Sequence, residues 1–390
     1  MLSTFTKRVA VSSFLSLLLL SNNVLATEPE YIESDESSTG IGLDSPMDYS
    51  FEDRVVFKRH RRRLDDRAPF FRDGTLDANI RSYWFQRDNE NTDNTKALAL
   101  GGELVWNSGW YRDLIALQLG GYTSQPVYAP DSKDGTGLLQ SGQNGYSVLG
   151  KANAQLKLGE TRVKLYRSEL KTPFANNGDI RMTPILFENY TVLSHDIEQV
   201  DILASYVTKY KERTSQSFKG MLEGIGSDND SEMFIFGGRY RPEQGFSIGG
   251  IGYHVKDYLT IGYIGGQADL KSAWGDFNIA GQYIHQQNTG KSLGGDINNN
   301  SVGVKLEYQH GQASWTAAWH KVSGDSVRSD WGSYPGYNSI ILRDFNRADE
   351  ESFRIGLNYK VDQWLDGLSL IGNFVFGGTP DSCTGQVLMK

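Results

Sequence analysis

The sequence predicts an all-β fold, an antiparallel transmembrane β-barrel, on three observations. From Gly74 onward most of the chain alternates apolar and polar residues with period 2, in arms of about 9–13 residues. The connections switch between tight turns and long polar segments. Aromatic residues gather near arm ends and on outward faces, where the two interfaces of a membrane would lie. An arm of about 11 residues, at roughly 3.3 Å each and tilted about 40°, crosses an apolar band of roughly 25 Å. A secreted soluble β-sandwich also alternates, but it needs neither uniform arms nor connections of two alternating lengths.

The chain begins MLSTFTKRVAVSSFLSLLLLSNNVLATEPE. Lys7 and Arg8 form a positive start, Val9 to Leu20 an apolar stretch, and Val24-Leu25-Ala26 a small-residue cleavage site. That reads as a secretory signal peptide over 1–26. A membrane anchor is the alternative, but about 12 apolar residues fall short of the roughly 20 a helical span needs. Residues 27–70 read as a periplasmic, partly disordered N-terminal extension, acidic in EPEYIESDESS and basic in FKRHRRRLDDR. The run Lys58 to Arg63 would suit a polyanion or lipid-phosphate contact, and a solvated tail is the plainer reading. Residues 71–390 are assigned to the barrel, judged incomplete at its C-terminal end.

Cys383 is the only cysteine, so packing and backbone pairing must hold the fold without an internal disulfide. After the leader no stretch approaches about 18 apolar residues, so no helix is expected to span a membrane. Hydrophobic residues make up 38% of the chain, yet 12% is aromatic, and disordered chains lack aromatics. A net charge of −8 argues against nucleic acid as a partner.

The arms follow in order. TLDANIRSYWFQR (75–87), ALALGGELVWN (97–107) and YRDLIALQLGG (111–121) come first. Leu98, Leu100, Leu104 and Trp106 share one face of the second. SVLGKANAQLKL and TRVKLYRS form a hairpin, and EMFIFGGRYR, FSIGGIGYHVKD, YLTIGYIGGQADL and GDFNIAGQYIHQQ follow. NSVGVKLEYQHG, ASWTAAWHKV, ESFRIGLNYKV and LSLIGNFVFGG close a series of about fifteen arms. Tight turns are expected at Asn107-Ser108-Gly109, Gly159-Glu160, Glu243-Gln244-Gly245, Lys256-Asp257 and His310-Gly311-Gln312. Long polar segments are expected at 122–145, 169–185, 210–231, 287–299 and 323–348. Trp84 and Phe85, Trp106 and Trp110, Trp315 and Trp319, and Phe374 and Phe376 are read as girdle residues.

The hairpin GKANAQLKLGETRVKLYRSEL (150–170) concentrates cations on one face. Alternation sends Ala152, Ala154, Leu156, Val163 and Leu165 to lipid and Lys151, Lys157, Arg162 and Lys164 to the lumen. Like charges on paired strands repel. The repulsion is tolerable where the cations draw anions into a pore, or where loop carboxylates pair with them.

Several stretches, taken in order, resemble the OprD family of bacterial outer-membrane porins. DANIRSYWFQRD (77–88) is similar to the family's first strand, and DGTGLL (134–139) to its Gly-Thr-Gly-Leu-Leu loop. GDIRMTPILFENYTV (178–192) resembles the segment after the fifth strand, and FIFGGRY (234–240) a Phe-Ile-Gly-Gly-Arg-Tyr motif. Residues 294–325 resemble a paired-strand unit, and DFNRADEESFRIGLNYKV (344–361) a segment leading into the next strand. The similarity runs from about 70 to 380. It implies an 18-stranded, substrate-specific channel, narrowed by an inward-folded loop that faces a row of arginines and lysines, the basic ladder. On that pattern Arg81 and Arg181 take ladder positions, while Lys151, Arg162 and Lys164 join them from alternation alone. The narrowing loop is drawn from 122–145 or 169–185. Family members continue for about three more strands and end in an aromatic residue read by the barrel-assembly machinery, whereas this chain stops at TPDSCTGQVLMK. A truncated or frameshifted member, or a fragment, is therefore expected.

The function expected is passive diffusion of small carboxylate-bearing solutes (amino acids, organic acids, short peptides) through that basic lumen. The alternative is an oligosaccharide-selective, chitoporin-like porin in which Tyr83, Tyr166 and Tyr253 stack on sugar rings. A barrel enzyme or a purely structural outer-membrane protein stands behind both. His60, His195, His254, His285, His310 and His320 are scattered without metal-site spacing. GIGSDND (224–230) lacks the Gly-x-Ser-x-Gly elbow of a serine hydrolase, so no catalytic residue is assigned. SDNDSE and GGDINNN are oxygen-rich but lack a defined calcium spacing. No cofactor or metal is expected. Expected partners are small-molecule solutes, outer-membrane lipid and lipopolysaccharide, and the assembly machinery, with a monomer or loose trimer as the assembly.

Overall fold

The computed structural model describes residues 66–88, 93–229, 231–242, 245–340, 343–361, 368–379 and, by backbone alone, 382–389. The expected signal peptide (1–26) and the basic run Lys58 to Arg63 lie outside the described residues.

A one-turn helix, Pro69–Arg72, leads into the sheet, with the Phe70 ring edge-on to Trp106 at 6.0 Å. The strands are β1 (Thr75–Arg87), β2 (Thr95–Asn107), β3 (Ile115–Tyr128), β4 (Tyr146–Leu158), β5 (Thr161–Ser168) and β6 (Leu186–Ile197). Next come β7 (Val200–Lys211), β8 (Lys219–Gly220), β9 (Met233–Tyr240), β10 (Phe246–Val255), β11 (Leu259–Ser272) and β12 (Gly275–Asn288). The last are β13 (Asn298–His310), β14 (Ala313–Gly324), β15 (Glu351–Lys360), β16 (Ser369–Thr379) and β17 (Ser382–Met389). All lie in one 17-stranded sheet. Successive strands pair antiparallel, except that β9 pairs with β7 past the two-residue β8, which itself pairs with β7.

Four of these strands, β6, β7, β8 and β17, are not among the thirteen arms quoted from the sequence. β8 is too short to show a period, and β17 forms from TGQVLM, which hardly alternates. β3 runs on to Tyr128, so the first long connection is 129–145 rather than 122–145. Lys256-Asp257 is a tight turn on the end that carries the long loops, so that end is not uniformly long.

Polarity on this sheet is inverted. On β13, Asn299 and Ser301 are fully buried and Lys305 is 2% exposed, while Val302, Val304 and Leu306 are 40%, 45% and 41% exposed. Val304 pairs with Trp319 and Leu306 with Ala317, so the exposed face continues onto β14. Apolar residues pointing outward belong in hydrocarbon, and the polar ones face the lumen. Among the described residues no helix is long and apolar enough to cross a membrane. The strands do the crossing, and from β2 to β16 their backbone groups are met by neighbouring strands.

Outward aromatics cluster at both rims. At the tight-turn end Phe277, Tyr308 and Trp315 stack in a row, with centroids 4.7 Å and 5.5 Å apart. At the loop end Tyr190, Tyr206 and Phe234 form a second row, and Phe353 stacks on Phe376. Phe85 corrects the sequence reading. It shares the inward face of β1 with Arg81 and Tyr83, because Trp84 pairs outward with Leu98.

The main apolar cluster lies inside the barrel. Loop residues Phe174, Met221 and Trp331 are buried against the inward Tyr253, Ile261 and Val322 of β10, β11 and β14. These loops fill the lumen beside β7–β14, and a smaller cluster of loop residues covers the inner face of β2. Val304→Arg sets a charge on the lipid face near mid-strand and is expected to cost about 2–4 kcal/mol of folding stability. Urea titration of the barrel in lipid vesicles measures that loss.

Candidate functional site

The segment between β5 and β6, residues 169–185, crosses the lumen. Glu169 accepts an ion pair from Lys151 of β4 at 2.7 Å. Asp179 is gripped by Arg81 of β1 through two parallel bonds, Nη1 to Oδ1 at 2.5 Å and Nη2 to Oδ2 at 2.6 Å. Between these anchors the Phe174 ring stands edge-on to Tyr253 of β10 at 5.9 Å, and the Phe174 N–H donates to the Tyr253 hydroxyl at 3.2 Å. Asn176 docks on the loop between β14 and β15, donating to the Ser333 carbonyl at 2.9 Å and accepting from the Ser333 N–H at 2.8 Å. A segment touching β1, β4, β10 and the β14–β15 loop must pass through the barrel interior.

Its turn needs a glycine. Gly178 sits at φ 44°, and a Cβ there would come 2.4 Å from the Arg213 guanidinium, which donates from Nε to the Gly178 carbonyl at 2.6 Å. Burial, with Arg181 close by, lowers the Arg213 pKa, and Asp179 and Asp344 oppose this. The 129–145 loop folds inward as well, so the two candidate narrowing segments meet rather than compete. Its Leu138 and Leu139 are buried with Met182 of the crossing loop against Ala97 and Ala99 of β2.

The five basic positions expected to line the path divide into two groups. Arg81 and Lys151 are spent on Asp179 and Glu169, and Lys151 also lies 3.7 Å from Glu103. Arg162 reaches toward the Trp110 ring, 6.0 Å away, with its Nη1 buried and lacking a hydrogen-bond partner. Lys164, opposite Gln155, has no carboxylate within ion-pairing distance among the described residues. Arg181 lies over Phe85 at 5.0 Å and Tyr83 at 5.9 Å, and among the described residues its side chain donates only to the Ile180 carbonyl. Lys157, opposite Arg162, is held by Asp113 at 3.0 Å. Both readings of the cationic hairpin therefore apply, pairing for some side chains and open charge for others.

The three tyrosines do not form one stacking row. Tyr253 is 1% exposed and committed to Phe174, which corrects its assignment as a sugar platform. Tyr83 lies under Arg181. Tyr166 is exposed beneath Arg167, with its backbone at φ 85° in the left-handed region. Glu169, Asp179, Asn176 and Arg213 were missed from sequence. The available signal was two carboxylates flanking Asn-Asn-Gly beside a cationic hairpin.

Burial pushes the Glu169 carboxyl up, but Lys151, Asn177 and Lys171 more than reverse this, so its pKa stays below the ordinary carboxylate value. Among the described residues no group of three or more His, Cys, Asp or Glu could hold a metal.

A profile of outer membrane porins of the OprD family matches residues 68–370. Porin D of Pseudomonas aeruginosa is 26% identical over 336 residues, covering 79% of this chain and 74% of its own. Among solved structures, OccK9 (OpdG) of P. aeruginosa superposes with a TM-score of 0.74 at 20% identity, covering 81% of this chain and 86% of its own. A BenF-like porin from Pseudomonas fluorescens Pf-5 gives 0.73 at 17% identity, covering 79% and 83%. OpdK of P. aeruginosa with vanillate gives 0.69 at 20% identity, also covering 79% and 83%.

A carboxylate with a lowered folded pKa stabilises above its unfolded value, and that stability is lost as pH falls through the folded pKa. The Glu169 anchor is therefore expected to hold down to the ordinary glutamate value of about 4.3 and to weaken only below it. Single-channel noise recorded against pH, in the native chain and in Glu169→Gln, measures this. The native trace should stay quiet across that range, and the variant should be noisy throughout.

Proposed function

The chain belongs to the OprD family of outer membrane porins, and on that premise we propose that its passage favours small solutes carrying a carboxylate. Family membership makes it an outer-membrane channel for substrate-specific passive uptake, which conducts solutes and does not transform them. The finer reading rests on one observation. Arg162 and Lys164 on β5 and Arg181 on the crossing loop make no ion pair with a protein carboxylate among the described residues, whereas Arg81 is paired with Asp179 and Lys151 with Glu169 and Glu103.

Cations inside a low-dielectric wall set the local potential even though the whole chain has a net charge of −8. The guanidinium of Arg181 lies over two rings, 5.0 Å from Phe85 and 5.9 Å from Tyr83, and has the forked donors that suit a planar carboxylate. Spacing the free cations along the path lets a solute pass from one to the next without being held at any. OpdK, a structural relative, is described with vanillate, an aromatic carboxylate. The oligosaccharide reading loses support with Tyr253 buried under the crossing loop, since sugar stacking needs open ring faces.

Reversal potentials in planar bilayers with benzoate as the anion, together with vesicle flux of benzoate against its neutral analogue benzamide, test the proposal. Arg181→Ala and Lys164→Ala are each expected to lower the benzoate preference about 3–5-fold, the worth of a partly exposed charge contact of up to about 1 kcal/mol. Unchanged preference in both variants, together with current block by a neutral oligosaccharide, would return the oligosaccharide reading.

A further inference from the structure

Two of the lumen cations already hold carboxylates, and both carboxylates belong to the same loop. We propose that Asp179 is a tethered internal ligand of Arg81, standing where a permeating carboxylate would bind, so that such a solute displaces the loop's anchor as it passes. The proposal rests on the carboxylate selectivity argued above.

The geometry is that of a bound solute. Arg81 grips Asp179 through two parallel N–H···O bonds, the fork-to-fork arrangement a guanidinium adopts with any free carboxylate. The pair is also open to exchange. The Arg81 and Asp179 side chains are 26% and 27% exposed, so the pair is partly open to the lumen. A solute carboxylate arriving there competes with Asp179 for the same fork of donors. Arg81 further donates to the Arg181 carbonyl at 3.1 Å, so the second cation is reached by a short transfer.

The other tether is of a different kind. Glu169 takes Lys151, accepts from Asn177 at 3.1 Å and lies beside the Tyr122 hydroxyl, and the Lys151 side chain is only 15% exposed. Phe174 and Asn176 stay docked on Tyr253 and Ser333 whatever happens at Asp179. Displacement at Arg81 would thus loosen Asp179 and Ile180, between Gly178, held by Arg213, and the buried Met182, and leave the first half of the loop in place. The anchor and the solute cannot occupy Arg81 together, so loop release and solute binding are linked.

The test uses the full chain in planar bilayers, with benzoate as probe and benzamide as neutral control. Asp179→Asn keeps the shape and removes the internal ligand. It is expected to lower the half-saturating benzoate concentration about tenfold and to raise open-channel noise. Glu103→Gln also removes one lumen carboxylate but leaves Arg81 gripped by Asp179, so it separates direct competition from a general change of potential. Heat-modifiable mobility on gels confirms that each variant is folded. Asp179→Asn combined with Arg81→Lys, which lacks the fork, should lose most of the gain. Equal shifts in D179N and E103Q, or no shift in D179N, overturn the internal-ligand proposal even where the native channel prefers benzoate. A native channel indifferent between benzoate and benzamide, with the D179N shift present, would sink the selectivity reading and leave the tether standing.

Discussion

Hydrocarbon offers a peptide group no water to bond, and that deprivation governs the rest of this structure. Every N–H and C=O that crosses the membrane must be met by a neighbouring strand, so the chain pairs each strand with the next in one continuous sheet. A sheet closed on this rule has one face on lipid and one on an enclosed lumen. The inverted polarity of β13, with serine and asparagine buried and valine and leucine exposed, follows from that division. Aromatic rows at both rims mark where the lipid ends.

The same rule creates the channel's second problem, because a barrel of this size would be an open hole. The long loops solve it with an ordinary hydrophobic core placed off-centre. Phe174, Met221 and Trp331 bury their rings and thioether against one side of the wall, and the passage is pressed toward the other. Apolar burial decides which half of the lumen is filled. Ion pairs then decide where the filling stops, since Lys151 and Arg81 draw the two carboxylates of the crossing loop onto β4 and β1.

This division gives the basic side chains two tasks. Arg81 and Lys151 are structural as much as they are part of the path. Arg162, Lys164 and Arg181 keep their charge available. A cluster of like charges on a hairpin is costly in isolation, and here the cost is offset by acids that arrive from a loop and from the tight turn holding Asp113. The segment 169–185 carries Glu169, Asp179 and the Asn-Asn-Gly turn in one short stretch, so a single loop supplies both the narrowing and the neutralising charge.

Most of the strands, most of their inward and outward faces and the cationic hairpin were legible in the sequence, because period-2 alternation is a local property that survives without knowledge of any partner. Leu100 and Leu104 lie outward and Asn153 and Gln155 inward, as the alternation of those arms requires. The partners were not legible. Arg81 and Asp179 stand 98 positions apart and Asn176 and Ser333 157 apart, and nothing in either neighbourhood names the other. Tyr253 looked like a lumen platform until a loop covered it. Alternation states which face a side chain takes. Only the folded sheet, with its loops turned back inside, states what stands opposite, because that depends on a cross-lumen meeting of segments that no local pattern records.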